Sequence, residues 1–278
     1  MDQLTFNTNF PLLIDLEHVN GDYEWYSTDD ENAYRFNRKK MGHTWRYATE
    51  KINYKFNSLG YRTKEIEDLQ KDFILTFGCS YTQGIGLAKE DMWAELLAQE
   101  LNMDLLNLGV GGTGPDIIHL NTLQYTKLNY PKPKCVVVQW PQSTRKSFAY
   151  KDTVGDGICL VDRNVQNTFD HTHYEKKDSS WYFERYITET GELEVNNYIW
   201  YTAVNSMWRN YDVPVVNWTY DDDFLDEEHF DITKVIIDQN YRKARDGKHE
   251  GPGVQKYVVK RIVSKVKDFA VRNVRESF

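Results

Sequence analysis

From residue 73 onward, short apolar runs alternate with stretches in which apolar residues recur every three or four positions. FILTF (73–77), DLLNLG (104–109) and CVVVQW (135–140) are short and nearly continuous in apolar character, which reads as strands buried on both faces. Between them, EDMWAELLAQEL (90–101) and the stretch from about Asp116 to Leu128 carry helical periodicity. Strands separated by helices of this length form parallel βαβ units, so the pattern predicts an α/β protein. Further on, Tyr201, Val204, Trp208 and Tyr211 recur at helical spacing as a core stripe, and VPVVNW (213–218) reads as another strand. The chain closes on a long amphipathic helix whose Val254, Val258, Ile262 and Val266 are expected to pack on the sheet.

Two regions break this alternation. Residues 1–70 are rich in Tyr, Asn and Asp with few sustained apolar runs, and are expected to form an extension packed on a core domain spanning 71–278. Residues 146–192 are polar, aromatic and irregular; with the helix that follows they define an insertion at about 146–212. The insertion leaves the sheet after the third strand. Its aromatics Phe169, Tyr174, Trp181 and Tyr182 are therefore placed either to roof a site there or to form a satellite hydrophobic cluster.

With 278 residues and 40% hydrophobic content the chain can bury a substantial core. Its net charge of -8 disfavours nucleic acid as a partner, because phosphate backbones attract clustered Lys and Arg. The first 25 residues lack a basic segment leading into an apolar run, and no stretch is long and apolar enough to span a bilayer. A soluble, cytoplasmic-type protein without a signal peptide or membrane partner is the expectation. The three cysteines, Cys79, Cys135 and Cys159, lack metal-type spacing and fit neither a zinc site nor a disulfide framework. DHTHYE (170–175) and the acidic run at 221–230 read as polar surface, so neither metal nor cofactor is expected. The sequence leaves the oligomeric state open.

In an open parallel sheet, ligands gather beyond the carboxyl ends of the strands. Three loops fall there: Gly78-Cys79-Ser80-Tyr81-Thr82, NLGVGGTGPD (107–116) and QWPQSTR (139–145). Ser80 reads either as a nucleophile on a sharp strand-to-helix turn or as a capping serine. The glycine-rich second loop lacks the Lys-Ser/Thr ending of a phosphate-binding loop. The α/β-hydrolase elbow requires a second glycine where Thr82 stands.

Taken together, these loops resemble the SGNH/GDSL hydrolases. FGCSYTQGIGL is similar to the nucleophile block of that family, with Cys79 in place of its Asp, and Asn107, Gly109 and Gly112 match its second block. NSLGYR (57–62) is similar to the segment before the first strand in many members. The resemblance implies a flavodoxin-like three-layer αβα fold with a parallel sheet, Ser80 as nucleophile, and the Ser80 and Gly112 N–H groups as oxyanion donors. The family's third block supplies an Asn side chain; this chain has Pro141-Gln142-Ser143, leaving Gln142 or Ser143 as the third donor. Trp140 and Arg145 read as a substrate wall and an anion or sugar contact, or as a packed aromatic and a solvated charge.

The family also carries Asp-x-x-His near its C-terminus, and here that spacing occurs at Asp116/His119, Asp170/His173, Asp226/His229 and Asp246/His249. Only RDGKHEGPG (245–253) joins a flexible Gly247 turn to a Gly-Pro-Gly boundary and a following amphipathic helix, which selects Asp246 and His249. The implied activity is hydrolysis of small acyl esters, acetyl above all, on a small molecule or carbohydrate. Two alternatives use the same scaffold: acyl transfer to a second alcohol, and a binding or structural protein with an impaired site.

Overall fold

The computed structural model describes residues 19–70, 72–128, 130–143, 145–152, 155–162, 191–220 and 237–275. Four strands, β3 (Phe73–Gly78), β4 (Asp104–Gly109), β5 (Cys135–Trp140) and β8 (Val215–Thr219), form one sheet in the order β4-β3-β5-β8. All three pairings are parallel, with Leu75 opposite Leu106 and Val136, and Val137 opposite Val216. Every residue of β3 and β5 is buried, as both faces of the sheet require.

Alternate residues of each strand feed two separate cores. Leu75, Phe77, Leu106, Val136, Val138 and Trp140 pack with α4 (Pro115–Lys127) and α5 (Glu192–Asn210), where Ile118, Tyr125, Val204 and Trp208 close the layer. Ile74, Leu105, Val137 and Trp218 face α3 (Trp93–Leu101) and α7 (Pro252–Arg275) through Trp93, Leu97, Val258 and Ile262. The result is the α/β three-layer arrangement with a parallel sheet. Tyr201, Val204 and Trp208 belong to the first core as their spacing implies, and Val254, Val258, Ile262 and Val266 to the second.

The pattern misplaces some boundaries. Lys89–Asp91 forms a 3-10 turn and Met92 is extended, so the helix expected from residue 90 starts at Trp93. The larger correction lies after β5. Part of the stretch expected to be irregular is an antiparallel hairpin, β6 (Arg145–Asp152) and β7 (Gly155–Asp162), in register from Arg145↔Asp162 to Asp152↔Gly155. RKSFAYKD and GDGICLVD lack the clean apolar alternation that announces a half-buried strand, which hides the hairpin from the pattern. Phe169, Tyr174, Trp181 and Tyr182 lie outside the described residues, as do residues 170–175 and 221–230.

Residues 19–70 contribute no strand to the main sheet. They form the two-residue ribbon β1 (Asp22–Tyr23) with β2 (Tyr54–Lys55) and helix α1 (Glu31–Met41), gathered on an aromatic cluster of Tyr26, Trp45, Tyr47, Tyr54 and Phe56. Ile85, from the loop after Ser80, completes that cluster, so the N-terminal segment touches the chain just after Ser80 directly.

Candidate active site

β3 ends at Gly78, Cys79 is extended, and Ser80 opens the one-turn helix α2 (Ser80–Gln83), whose Thr82 and Gln83 amides both donate to the Cys79 carbonyl. The turn is tight enough that a Cβ on Gly78 would stand 2.0 Å from Thr82 Oγ1, so a side chain there would displace the turn. Buried amides brace it from beneath. Gln139 Oε1 accepts from the Cys79 N–H at 3.2 Å and from Thr82 Oγ1 at 3.2 Å, and Asn107 Nδ2 donates to the Thr82 carbonyl at 2.7 Å. The Arg62 guanidinium donates to the carbonyls of Gly84 (2.6 Å) and Leu87 (2.8 Å), fixing the chain just after α2. Neither Gln139 nor Arg62 is predicted from sequence. The available signal is a glutamine inside the apolar run CVVVQW.

The loop between α6 (Gln239–Arg242) and α7 turns back on itself. Lys243 bridges Glu250, the Ala244 N–H donates to the His249 carbonyl at 3.0 Å, and Gly247 sits at φ 71. This turn places the His249 ring between two partners: Nδ1 lies 2.6 Å from Asp246 Oδ2, and Nε2 lies 2.8 Å from Ser80 Oγ. With the Nδ1 proton assigned toward the carboxylate, Nε2 is free to accept the Ser80 proton. Asp246 Oδ1 accepts from the amides of Lys248 and His249 at 3.0 Å each, and Oδ2 also accepts from Thr28 Oγ1 at 2.7 Å. Burial pushes the Asp246 carboxyl up, but the His249 ring, its amide and the Thr28 hydroxyl outweigh burial and hold it at about 2. Asp246 is thus ionised at neutral pH. The Tyr81 ring stands edge-on to His249 at 5.4 Å and packs at a tilt against Tyr220 at 4.5 Å.

Of the four Asp-x-x-His spacings, only Asp246/His249 among the described residues reaches Ser80. His119 packs at a tilt on Trp200 of α5 at 4.7 Å, and burial lowers its pKa. Asp170/His173 and Asp226/His229 lie outside the described residues. Among the described residues, the N–H groups of Ser80 and Gly112 have no acceptor, and Gly112 takes a left-handed φ of 77 that favours glycine. Its neighbour Gly111 runs close past Ser80: a Cβ there would stand 3.9 Å from Ser80 Cβ.

Trp140 requires a correction. It is fully buried, its indole N–H donates to Asn217 Oδ1 at 2.9 Å and its ring packs on Tyr201 at 5.4 Å, so it is a core aromatic and not a substrate wall. Arg145 is half-buried at the start of β6, where its charge bears on the hydroxyls of Tyr81 and Tyr220. Gln142 and Ser143 are half-buried; their carbonyls accept from the Arg145 amide and from Asn197 Nδ2.

No protein-family model matches the chain, and no curated protein matches it. Among solved structures, a G-D-S-L family protein from Desulfitobacterium hafniense DCB-2 described as lipolytic matches at 11% identity and a TM-score of 0.31, over 70% of this chain and 98% of that one. TesA matches at 12% identity and a TM-score of 0.35, over 71% of this chain and 99% of that one. The acetyl xylan esterase Est2A from Butyrivibrio proteoclasticus matches at 11% identity and a TM-score of 0.36, over 71% of this chain and 63% of that one. Likeness of this extent carries no argument about activity, and the site stands on its own geometry.

Proposed function

We propose that the chain is a serine esterase of the SGNH type that removes small acyl groups, acetyl above all, from a small-molecule or carbohydrate ester. The observation that carries this reading is the continuous chain Ser80 Oγ, His249 Nε2, His249 Nδ1, Asp246 Oδ2, with links of 2.8 and 2.6 Å. In this reading His249 takes the Ser80 proton as Oγ attacks the ester carbonyl, and ionised Asp246 stabilises the imidazolium that forms. The Ser80 and Gly112 N–H groups bind the oxyanion, with Gln142 or Ser143 from the next loop as third donor. Protonated His249 releases the alcohol, and water then cleaves the acyl-serine with His249 again as base. Transfer to a second alcohol follows the same path with that alcohol in place of water.

A protein with an impaired site has no need to keep three groups in hydrogen-bonding register, which favours the enzyme over the binding alternative. The test is acetate release from p-nitrophenyl acetate and from an acetylated xylo-oligosaccharide. Release from both is expected, unaffected by chelator and lost in Ser80→Ala. Activity that Ser80→Ala retains would contradict the proposal.

A further inference from the structure

The turn Tyr26–Asp29 belongs to the N-terminal stretch that the sequence presents as an extension, yet three of its side chains reach the candidate site. The turn closes on itself through reciprocal amide-to-carbonyl bonds of 3.0 Å between Tyr26 and Asp29, with Ser27 at φ 55. Its first residue braces the glycine loop: the Tyr26 hydroxyl accepts from Gln83 Nε2 at 3.2 Å, and Gln83 Oε1 accepts from the Gly111 N–H at 2.9 Å. Its third residue, Thr28, donates to Asp246 Oδ2. Its fourth, Asp29, receives Arg245 Nε and Nη2 at 2.8–3.0 Å, on the residue just before Asp246.

We propose that Thr28 is a positioning residue for Asp246, and that the Tyr26–Asp29 turn is a structural part of the active site. The inference rests on the esterase reading above. The two bonds to Asp246 Oδ1 come from amides of its own loop, and one of those to Oδ2 comes from His249. Among the described residues, Thr28 supplies the bond that ties this carboxylate to a different part of the fold. It acts on the oxygen that faces the imidazole. When His249 takes the Ser80 proton, its bond to Oδ2 must strengthen without the carboxylate swinging, and the Thr28 hydroxyl holds the rotamer in which that occurs.

The hydroxyl also withdraws negative charge from Oδ2. Without it the buried carboxylate is more basic and favours the protonated ring, so the acid limb of the rate profile moves to higher pH. The other charged groups around the pair stay in place: Asp29 with Arg245, Glu250 with Lys243 at 2.5 Å, and Arg145 beyond Tyr81. A residue that merely shapes the turn would change the folded fraction and leave that limb where it is.

The experiment compares Thr28→Val, which keeps the shape, and Thr28→Ser, which keeps the hydroxyl, using p-nitrophenyl acetate between pH 5 and 8.5. For Thr28→Val we expect kcat lower by about tenfold, KM within about twofold, and the acid limb of kcat/KM higher by about half a pH unit, as for loss of one hydrogen bond to a charged group. Thr28→Ser should recover both rate and limb. An unmoved limb in Thr28→Val, or equal losses in the Val and Ser variants, would overturn the inference. Ser80→Ala run alongside separates the two readings. If it too retains turnover, the esterase proposal falls; if it is dead while Thr28→Val matches the native protein, only the role of Thr28 falls.

Discussion

His249→Ala is expected to slow acylation of Ser80 by about 10⁴- to 10⁶-fold, close to the effect of Ser80→Ala on turnover. The hydroxyl of Ser80 is a poor nucleophile until a neutral base takes its proton, and His249 Nε2, 2.8 Å away, is placed to do so. Removing the ring also strands ionised Asp246 in a buried site. The control is His119→Ala, since His119 has the same spacing from an aspartate but packs on Trp200. It should leave acylation within about twofold of the native rate, because a residue outside the proton path acts only through packing. Stopped-flow measurement of p-nitrophenolate release from p-nitrophenyl acetate separates the two variants. A severe loss in His119→Ala with native rates in His249→Ala would reverse the assignment.

Asp29→Ala is expected to destabilise the protein by about 3–5 kcal/mol, the cost of leaving a buried charge without its partner. Asp29 is 0% exposed and Arg245 1%, and the pair lies under Trp25, whose ring is 4.2 Å from the guanidinium. Tyr54 ties the pair to the loop that follows Ser80: its hydroxyl donates to Asp29 Oδ2 at 2.5 Å and accepts from the Gly86 N–H at 2.7 Å. The loss reaches the chemistry because Arg245 precedes Asp246. Differential scanning calorimetry should register a fall in Tm of about 10 °C, given about 2–4 °C per kcal/mol for a chain of this size. Replacing both partners, Asp29→Leu with Arg245→Met, should restore part of the stability, since no unpaired charge is then left behind. An unchanged Tm in Asp29→Ala would show that the pair does not anchor the loop.

The sheet was legible because its strands are buried on both faces, which turns β3 and β5 into apolar runs too short for a buried helix. The sharp turn that carries Ser80 was legible because a strand end followed by a one-turn helix leaves a local trace in glycines. Which Asp-x-x-His pair meets Ser80 was not legible from spacing, which occurs four times. It took the turn chemistry of Gly247 and the Gly-Pro-Gly boundary to separate Asp246/His249, since a three-residue interval also suits a helix face, as at Asp116/His119. Contacts made across the fold left no local trace. Thr28 and Asp246 are 218 positions apart, and Asp29 and Arg245 216, so nothing in YSTD announces these contacts. Trp140, read either as a substrate wall or as a packed aromatic, shows the converse case. Standing at the end of a strand beside a loop of interest, it invited a substrate role, whereas its ring belongs to the layer between sheet and α5.

If Ser80 is a nucleophile activated by His249, a fluorophosphonate probe reports it without knowledge of the natural substrate. Incubation of the folded protein followed by intact-mass measurement and peptide mapping is predicted to give a single adduct on Ser80, strongly reduced in His249→Ala and absent in Ser80→Ala. Folded protein that forms no adduct, or an adduct on another residue that survives in Ser80→Ala, would contradict it.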